Sequence, residues 1–143
     1  MHLVIDGYHG DFAKMWDVEL VRKFLTDCPG TLGMTRITEP HVLEYDAPKS
    51  EDSGVSGFVI IAESHISVHT FPHRDYVNID MFSCQAFDHA QALAEAKELF
   101  DFQEVKTWLL DRGLEWLDGQ QGLAEVRKQR ASLHVGGTGH DGG

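Results

Sequence analysis

Residues 57–70 constrain the fold of this chain more than any other stretch. They read Gly-Phe-Val-Ile-Ile-Ala-Glu-Ser-His-Ile-Ser-Val-His-Thr, rich in β-branched and apolar residues, and Pro72 follows shortly after them. Such a run predicts a buried β-strand. Residues 76–84 alternate between apolar and polar types, with Val77, Ile79 and Met81 on one face. The short connection at residues 73–75 predicts that the two strands form an antiparallel hairpin.

The rest of the chain predicts helices and further strands around this hairpin. Asp17 is the predicted N-cap of a first helix that stops at Pro29-Gly30, and Asp88 begins a second helix. The other strands are expected at residues 2–6, 35–45 and 105–110, and residues 46–54 form an exposed loop. The order β-α-β-β-β-α-β predicts the α+β class: a two-layer α/β sandwich, with a mostly antiparallel sheet and helices on one face.

The length predicts one domain followed by a tail. The 143 residues, 42% of them hydrophobic, suffice for a single core. We assign residues 1–118 to this domain. Residues 119–143 are expected to hold a short helix near residues 123–130 and then a flexible, glycine-rich tail.

Composition excludes several classes of protein. The net charge of −11 at pH 7 argues against nucleic-acid binding, which normally needs a basic surface. There is no long uncharged apolar run, so no transmembrane helix or membrane partner is expected. Residues 1–10 lack the pattern of a secretory signal. Cys28 and Cys84 lie far apart in sequence, which favours two reduced thiols in a cytoplasmic protein.

A carboxylate, hydroxyls and imidazoles lie inside the predicted buried strand. Burying polar groups without partners is costly, so this cluster suggests chemistry. Side chains alternate along a strand, which puts Glu63, His65 and His69 on one face and Ser64 on the other. A simple nucleophilic pair of Ser64 and His69 would therefore need a strained turn or a bulge.

A serine can also attack the carbonyl of the residue before it. Here Ser64 would attack Glu63 in an N-to-O acyl shift, which needs an oxyanion donor and a base. β-Elimination from the resulting ester cleaves the chain and leaves dehydroalanine, which loses ammonia to become a pyruvoyl group. The strand pattern alone leaves open whether this happens.

Four motifs together resemble one enzyme family. They are Gly-Val-Ser-Gly at residues 54–57, Glu-Ser-His at 63–65, Ile-Ser-Val-His-Thr-Phe-Pro at 66–72 and Asp-Met-Phe-Ser-Cys at 80–84. Their sequence and spacing are similar to those of the short prokaryotic S-adenosylmethionine (AdoMet) decarboxylase proenzymes, which are pyruvoyl-dependent and self-processing. The resemblance extends over residues 2–116.

The resemblance implies a role for each matching residue. Ser64 becomes the pyruvoyl cofactor, and Glu63 becomes the new carboxyl terminus of a β chain of residues 1–63, with the α chain starting at residue 64. His69 assists processing by removing the α-proton of the ester. Ser56 supports processing through hydrogen bonding, and Cys84 protonates the substrate carbon after CO₂ leaves.

The resemblance also implies the activity. The chain is expected to be a carboxy-lyase of polyamine biosynthesis that decarboxylates AdoMet through a Schiff base with the pyruvoyl group. It is expected to work as a homodimer of processed αβ protomers associated across their sheets, with the active site near the interface. Expected contacts to the substrate come from Tyr45, Glu63 and His65.

Departures from the family pattern keep alternatives open. Residues 71–73 read Phe-Pro-His where the family often has Trp-Pro-Glu, and the loop at residues 46–53 is longer than usual. Arginine or ornithine is therefore an alternative substrate, and a non-catalytic ligand-binding relative is an alternative of another class. A metal site at His65, His69 and His73 would need a helix, which Pro72 disfavours, so no metal is expected.

Overall fold

The computed structural model describes residues 1–112, which form one six-stranded antiparallel sheet with three α-helices and two short 3₁₀ helices, Ser50–Asp52 and Pro72–Arg74. The predicted helix near residues 123–130 and the predicted tail lie outside the described residues. The elements in chain order are β1 His2–Tyr8, α1 Phe12–Met15, α2 Val18–Thr31, β2 His41–Tyr45, β3 Gly54–Ile61, β4 Ser64–Phe71, β5 Tyr76–Ser83, α3 His89–Phe100 and β6 Glu104–Leu110. Across the sheet, the strands follow the order β2-β3-β4-β5-β1-β6.

The predicted fold class is confirmed, because helices cover one face of a purely antiparallel sheet. On the covered face, every second residue of the central strands is buried. These side chains pack with the buried positions of the helices in one core, which includes Ile5, Val59, Val68 and Ile79 from the strands and Leu25, Ala96 and Phe100 from the helices.

Aspartates begin the helices, as the sequence indicates at two of the three positions. The Asp17 carboxylate accepts a hydrogen bond from the Leu20 amide, and the Asp88 carboxylate accepts one from the Gln91 amide. Asp11 caps α1 in the same way. Each bond satisfies an amide that has no partner within its helix.

The predicted single strand over residues 57–70 is wrong in one respect that matters for the site. The chain reverses at Ala62-Glu63, so β3 and β4 form a hairpin in which Ile61 pairs with Ser64. Two-residue hairpin loops favour residues with positive φ, typically glycine or asparagine. Neither Ala62 nor Glu63 has a positive φ, so the turn carries none of the usual sequence signals.

Two further boundaries differ from prediction. Helix α2 continues past Pro29 to Thr31; Pro29 lies in its last turn, so the helix lacks one amide donor there, and the ring is buried in the core. The strand predicted over residues 35–45 is regular only from His41. Pro40 has no amide to donate, and before it only Arg36 forms an isolated bridge, to Ile61.

The opposite side of the sheet, which we call the open face, has no helix over it within residues 1–112. It carries the other alternating set of side chains, among them Ser56, Phe58, His69, Asp80 and Trp108. No helix in this part of the chain is long and apolar enough to cross a membrane.

Candidate active site

Ser64 is the first residue of β4, immediately after the hairpin turn. The carbonyl oxygen of Glu63, just before it, accepts a hydrogen bond of 2.9 Å from the Cys84 amide. The Ser64 hydroxyl lies 3.4 Å from Nδ1 of His65, at the long end of hydrogen-bonding distance. Glu63, Ser64, His65 and Cys84, four of the predicted site residues, are thus neighbours at one end of the sheet.

The other side of the turn is held by a backbone segment that sequence reasoning missed. The Thr35 amide donates to both carboxylate oxygens of Glu63, at 3.1 and 3.3 Å. The Thr35 carbonyl in turn accepts a hydrogen bond of 2.8 Å from the Ala62 amide. Backbone groups carry no sequence signature, so no pattern in the chain points to this contact.

Ser56 and His69 form a second group at a distance from the first. They pair across β3 and β4, and Ser56 Oγ lies 2.9 Å from His69 Nδ1. His69 is five residues from Ser64 along a continuous extended strand, a separation of about 16 Å at ~3.3 Å per residue. The structure therefore does not bring the predicted Ser64 and His69 together within one chain.

Tyr45 belongs to the end of the sheet that holds Ser56 and His69. It pairs with Gly54 at the end of β2, and its side chain is exposed. Nearby on the open face, the Tyr76 ring stacks on Phe71, and its hydroxyl donates to Asp6 at 2.7 Å. Burial and this bond to Asp6 raise the pKa of Tyr76 to about 12. The three predicted substrate contacts thus divide between the two ends.

An aromatic and charged cluster lies on the open face beside His65, whereas the neighbouring Ser64 belongs to the other alternating set of β4. Phe82 contacts the rings of both His65 and His2, and the Arg112 guanidinium lies 4.3 Å from the centre of the Phe82 ring. His2 also hydrogen-bonds Asp80 at 2.8 Å. The alternation of β5 predicts that Phe82 and Asp80 share a face. Their contacts with His2 and Arg112 could be predicted only with knowledge of the strand order.

The two cysteines have different environments. Cys84 is partly exposed, as a proton donor to a substrate must be, whereas Cys28 is buried in α2. Burial, with a contribution from Glu95, raises the pKa of the Cys28 thiol and keeps it protonated. Cys28 therefore acts as a packed core residue.

The alternative metal site is not assembled. His65 and His69 share a face but lie four residues apart on a strand, about 13 Å, too far for one ion. Within residues 1–112, no group of three or more His, Cys, Asp or Glu side chains is placed to hold a metal.

Comparisons with known proteins agree with the geometry. The family model described as S-adenosylmethionine decarboxylase matches residues 1–113. The chain is 32% identical over 113 residues to the S-adenosylmethionine decarboxylase proenzyme of Geobacillus kaustophilus, covering 79% of this chain and 86% of that protein. It is 31% identical over 130 residues to the proenzyme of the same name from Anoxybacillus flavithermus, covering 91% and 94%.

A solved structure supports the same assignment. The adenosylmethionine decarboxylase of Aquifex aeolicus superposes with a TM-score of 0.66 at 26% identity, over 79% of this chain and 89% of that one. The predicted family is confirmed, and with it the expectation of a carboxy-lyase. The hairpin that presents Ser64, the motifs around it and these similarities lead to one conclusion: the chain belongs to the S-adenosylmethionine decarboxylase family.

Proposed function

We propose that the chain is a proenzyme that cleaves itself between Glu63 and Ser64 and then decarboxylates AdoMet in polyamine biosynthesis. One observation carries the proposal. The carbonyl that the Ser64 hydroxyl must attack already accepts a hydrogen bond from the Cys84 amide, at the tip of a hairpin whose strands would survive a cut.

The first step is an N-to-O acyl shift at the turn. Ser64 Oγ bonds to the Glu63 carbonyl carbon, the peptide C–N bond breaks, and the hydroxyl proton ends on the Ser64 nitrogen. Negative charge develops on the Glu63 oxygen during the attack. The Cys84 amide, 2.9 Å from that oxygen, is positioned to stabilise the charge.

The second step is β-elimination. A base removes the α-proton of residue 64, the Cβ–O bond breaks, and Glu63 leaves as a carboxylate. Water then replaces the nitrogen, which departs as ammonia, and residue 64 is left as a pyruvoyl group. We assign the base to His69, held by Ser56 at 2.9 Å.

The cofactor fits the position of Ser64, because it is built from that residue's own atoms and needs no added space. Ser64 begins a strand, so the cut leaves the pairing of β4 with β3 and β5 in place. A pyruvoyl group supplies an electron sink for loss of CO₂ from a substrate amino acid. The partly exposed Cys84 thiol then returns a proton to the substrate carbon.

A second copy of the chain supplies the missing base. Ser64 and His69 are about 16 Å apart on one strand, so a single chain cannot use both on the same atom. The open face carries His69 and an apolar surface that includes Phe58, 45% exposed, and Trp108, 46% exposed. We infer that two copies pack with their open faces together, so that Ser56 and His69 of each lie against the hairpin turn of the other, where residue 64 begins β4.

The same arrangement completes a substrate pocket. We expect it to bring Tyr45 of one copy to the end of the sheet that holds the His65 and Phe82 rings of the other. Aromatic faces suit both the adenine ring and the sulfonium charge of AdoMet. We place the enzyme in the cytoplasm, where the free Cys84 thiol is maintained.

Intact mass tests the processing. We expect two fragments that divide between Glu63 and Ser64, with the second lighter by one ammonia than a peptide that begins with serine. Ser64→Ala should remain uncut, while the matched control Ser67→Ala should cleave. An uncut wild-type chain would overturn the proposal in favour of a non-catalytic relative. Release of CO₂ from AdoMet, arginine or ornithine then identifies the substrate.

Subunit complementation tests the shared site. Ser64→Ala and His69→Ala chains should each stay uncut alone. When the two are co-expressed, the His69→Ala chain should cleave, because its Ser64 meets the intact His69 of the other copy. The absence of cleavage in mixed dimers, shown to form by differential tags, would place the base in the same chain.

A further inference from the structure

The geometry points to a positioning device for the scissile bond: residues 35–38, which we call the turn clamp, hold Glu63 by its side chain so that its carbonyl faces Ser64. This inference rests on the proposed self-processing and adds residues that none of the motifs contain. Glu63 acts here as a positioning residue, distinct from its place as one side of the cleaved bond.

The clamp grips the hairpin at several successive points. Thr35 bonds the Glu63 carboxylate and the Ala62 amide, as described above. Further along, the Ile37 amide donates to the Ile60 carbonyl at 3.1 Å, and Thr38 Oγ1 accepts from the Ile60 amide at 3.2 Å. The segment thus continues the edge of the sheet beyond β2 and runs beside β3 up to the turn.

The clamp is itself braced. One guanidinium nitrogen of Arg36 donates to the Thr38 carbonyl at 3.0 Å and to the Glu39 carboxylate at 2.9 Å. These bonds tie Arg36 to the backbone of Thr38, whose hydroxyl accepts the bond from β3. Arg36 is the less exposed member of its ion pair with Glu39, at 30%, so neighbouring groups restrict the motion of its side chain.

The consequence concerns the orientation of one peptide. Glu63 is fixed through its carbonyl by Cys84 on one side and through its carboxylate by Thr35 on the other. Rotation of the peptide between Glu63 and Ser64 would break the bond from the Cys84 amide, and the bonds from the Thr35 amide hold the Glu63 side chain on the other side of that peptide. Misplacing a reacting group by about 1 Å can lower a rate roughly hundredfold, so loss of the side-chain contact should slow cleavage without unfolding the protein.

The experiment follows cleavage from the time of synthesis. Full-length wild type, Glu63→Ala and Glu63→Gln are made by cell-free translation, and intact chain and fragments are quantified over time. We expect Glu63→Ala to cleave about tenfold to a hundredfold more slowly. Glu63→Gln should cleave at close to the wild-type rate, because its amide oxygen still accepts the Thr35 amide. Thermal melting points of the uncut chains should be similar.

A second variant tests the clamp without altering the cleaved bond. Thr38→Val keeps the shape of the side chain but loses the acceptor for the Ile60 amide, so cleavage should slow by less than in Glu63→Ala. Thr107→Val, at an exposed threonine on β6, is the matched control and should not slow it. A Glu63→Ala chain that cleaves at the normal rate, a Glu63→Gln chain as slow as Glu63→Ala, or equal rates for the two threonine variants would overturn the inference. Failure of the wild-type chain to cleave would instead overturn the proposed function.

Discussion

The two faces of the sheet are made by the same six strands and have opposite characters. On the covered face, Ile5, Val59, Val68 and Ile79 are each 0% exposed. On the open face, Phe58, Ile60 and Leu110 are 45%, 40% and 47% exposed. An isolated chain gains most of its hydrophobic stability from the covered face, since the apolar side chains there are fully removed from water.

The contrast shows how residues of similar chemistry acquire different roles. Apolar residues on the covered face specify the fold, whereas those on the open face are not covered by any helix within residues 1–112 and form a surface suited to association. His69 and the Phe82 cluster share the open face with them. We therefore expect substitutions on one face to change stability and on the other to change association.

The largest effect should separate two isoleucine-to-alanine changes. Ile79→Ala opens a cavity on the covered face and should lower the free energy of unfolding by about 2–5 kcal/mol. Ile60→Ala, on the open face, should lower it by less than about 0.5 kcal/mol in dilute protein. Urea denaturation at several protein concentrations measures both. Only the Ile60→Ala loss should grow with concentration, and equal losses at all concentrations would erase the distinction between the faces.

Two glycine-to-alanine changes sharpen the same contrast by adding a methyl group. A Cβ at Gly7, on the covered face of β1, would lie 2.3 Å from the buried Phe102 ring. Gly7→Ala should destabilise by about 1–3 kcal/mol through overpacking. Gly30→Ala in α2 meets no atom within 4 Å and should stabilise by about 0.5–1 kcal/mol, because alanine favours helix. Thermal melts that shift in the same direction for both would contradict this.

A smaller effect concerns the helical layer that covers the sheet. Asp88→Ala removes the acceptor for the Gln91 amide and should lower the free energy of unfolding by about 1 kcal/mol. Asp88→Ser keeps an acceptor at the N-cap and should retain most of that stability. Chemical denaturation distinguishes the two. An alanine variant as stable as the serine variant would mean that the cap contributes nothing.

The last prediction concerns a pH dependence on the open face, which leaves stability at neutral pH unchanged. Burial and Asp6 raise the pKa of Tyr76 from 10.0 to about 12, so the folded state holds this proton more tightly than the unfolded state. The corresponding stability is fully present below pH 10 and is lost as pH rises toward 12. Stability should therefore fall less steeply over this interval in Tyr76→Phe than in wild type. Identical slopes in the two proteins would remove Tyr76 as the cause.

The sequence predicts the regular parts of this fold well. Strict alternation in β5 and the aspartates before α2 and α3 are local signals, and the structure bears them out. The turn at Ala62-Glu63 escapes prediction because both residues lie within a continuous β-forming run and neither is a turn former. The end of α2 differs from the prediction for the opposite reason: Pro29 normally ends a helix, yet α2 continues for two residues beyond it.

The candidate site likewise has a part that the sequence predicts and a part that it does not. The motifs select Ser56, Glu63, Ser64, His69 and Cys84 by their chemistry, but not their placement in space. That placement depends on the hairpin turn and on the strand order, which are long-range properties. No sequence pattern predicts the turn clamp at residues 35–38, because most of its contacts use backbone groups, which every residue possesses.

The strand order has a consequence for the two fragments that the proposed cleavage would produce. A cut after Glu63 assigns β1, β2 and β3 to one fragment and β4, β5 and β6 to the other. In the sheet, however, β1 lies between β5 and β6. A strand of the first fragment is therefore hydrogen-bonded on both sides to strands of the second. Neither piece can leave without dismantling the sheet. Once unfolded, the cut protein must reassemble from two molecules, and its refolding becomes concentration-dependent. The uncut chain thus folds into a sheet that its two fragments would retain after cleavage but would re-form only slowly in dilute solution.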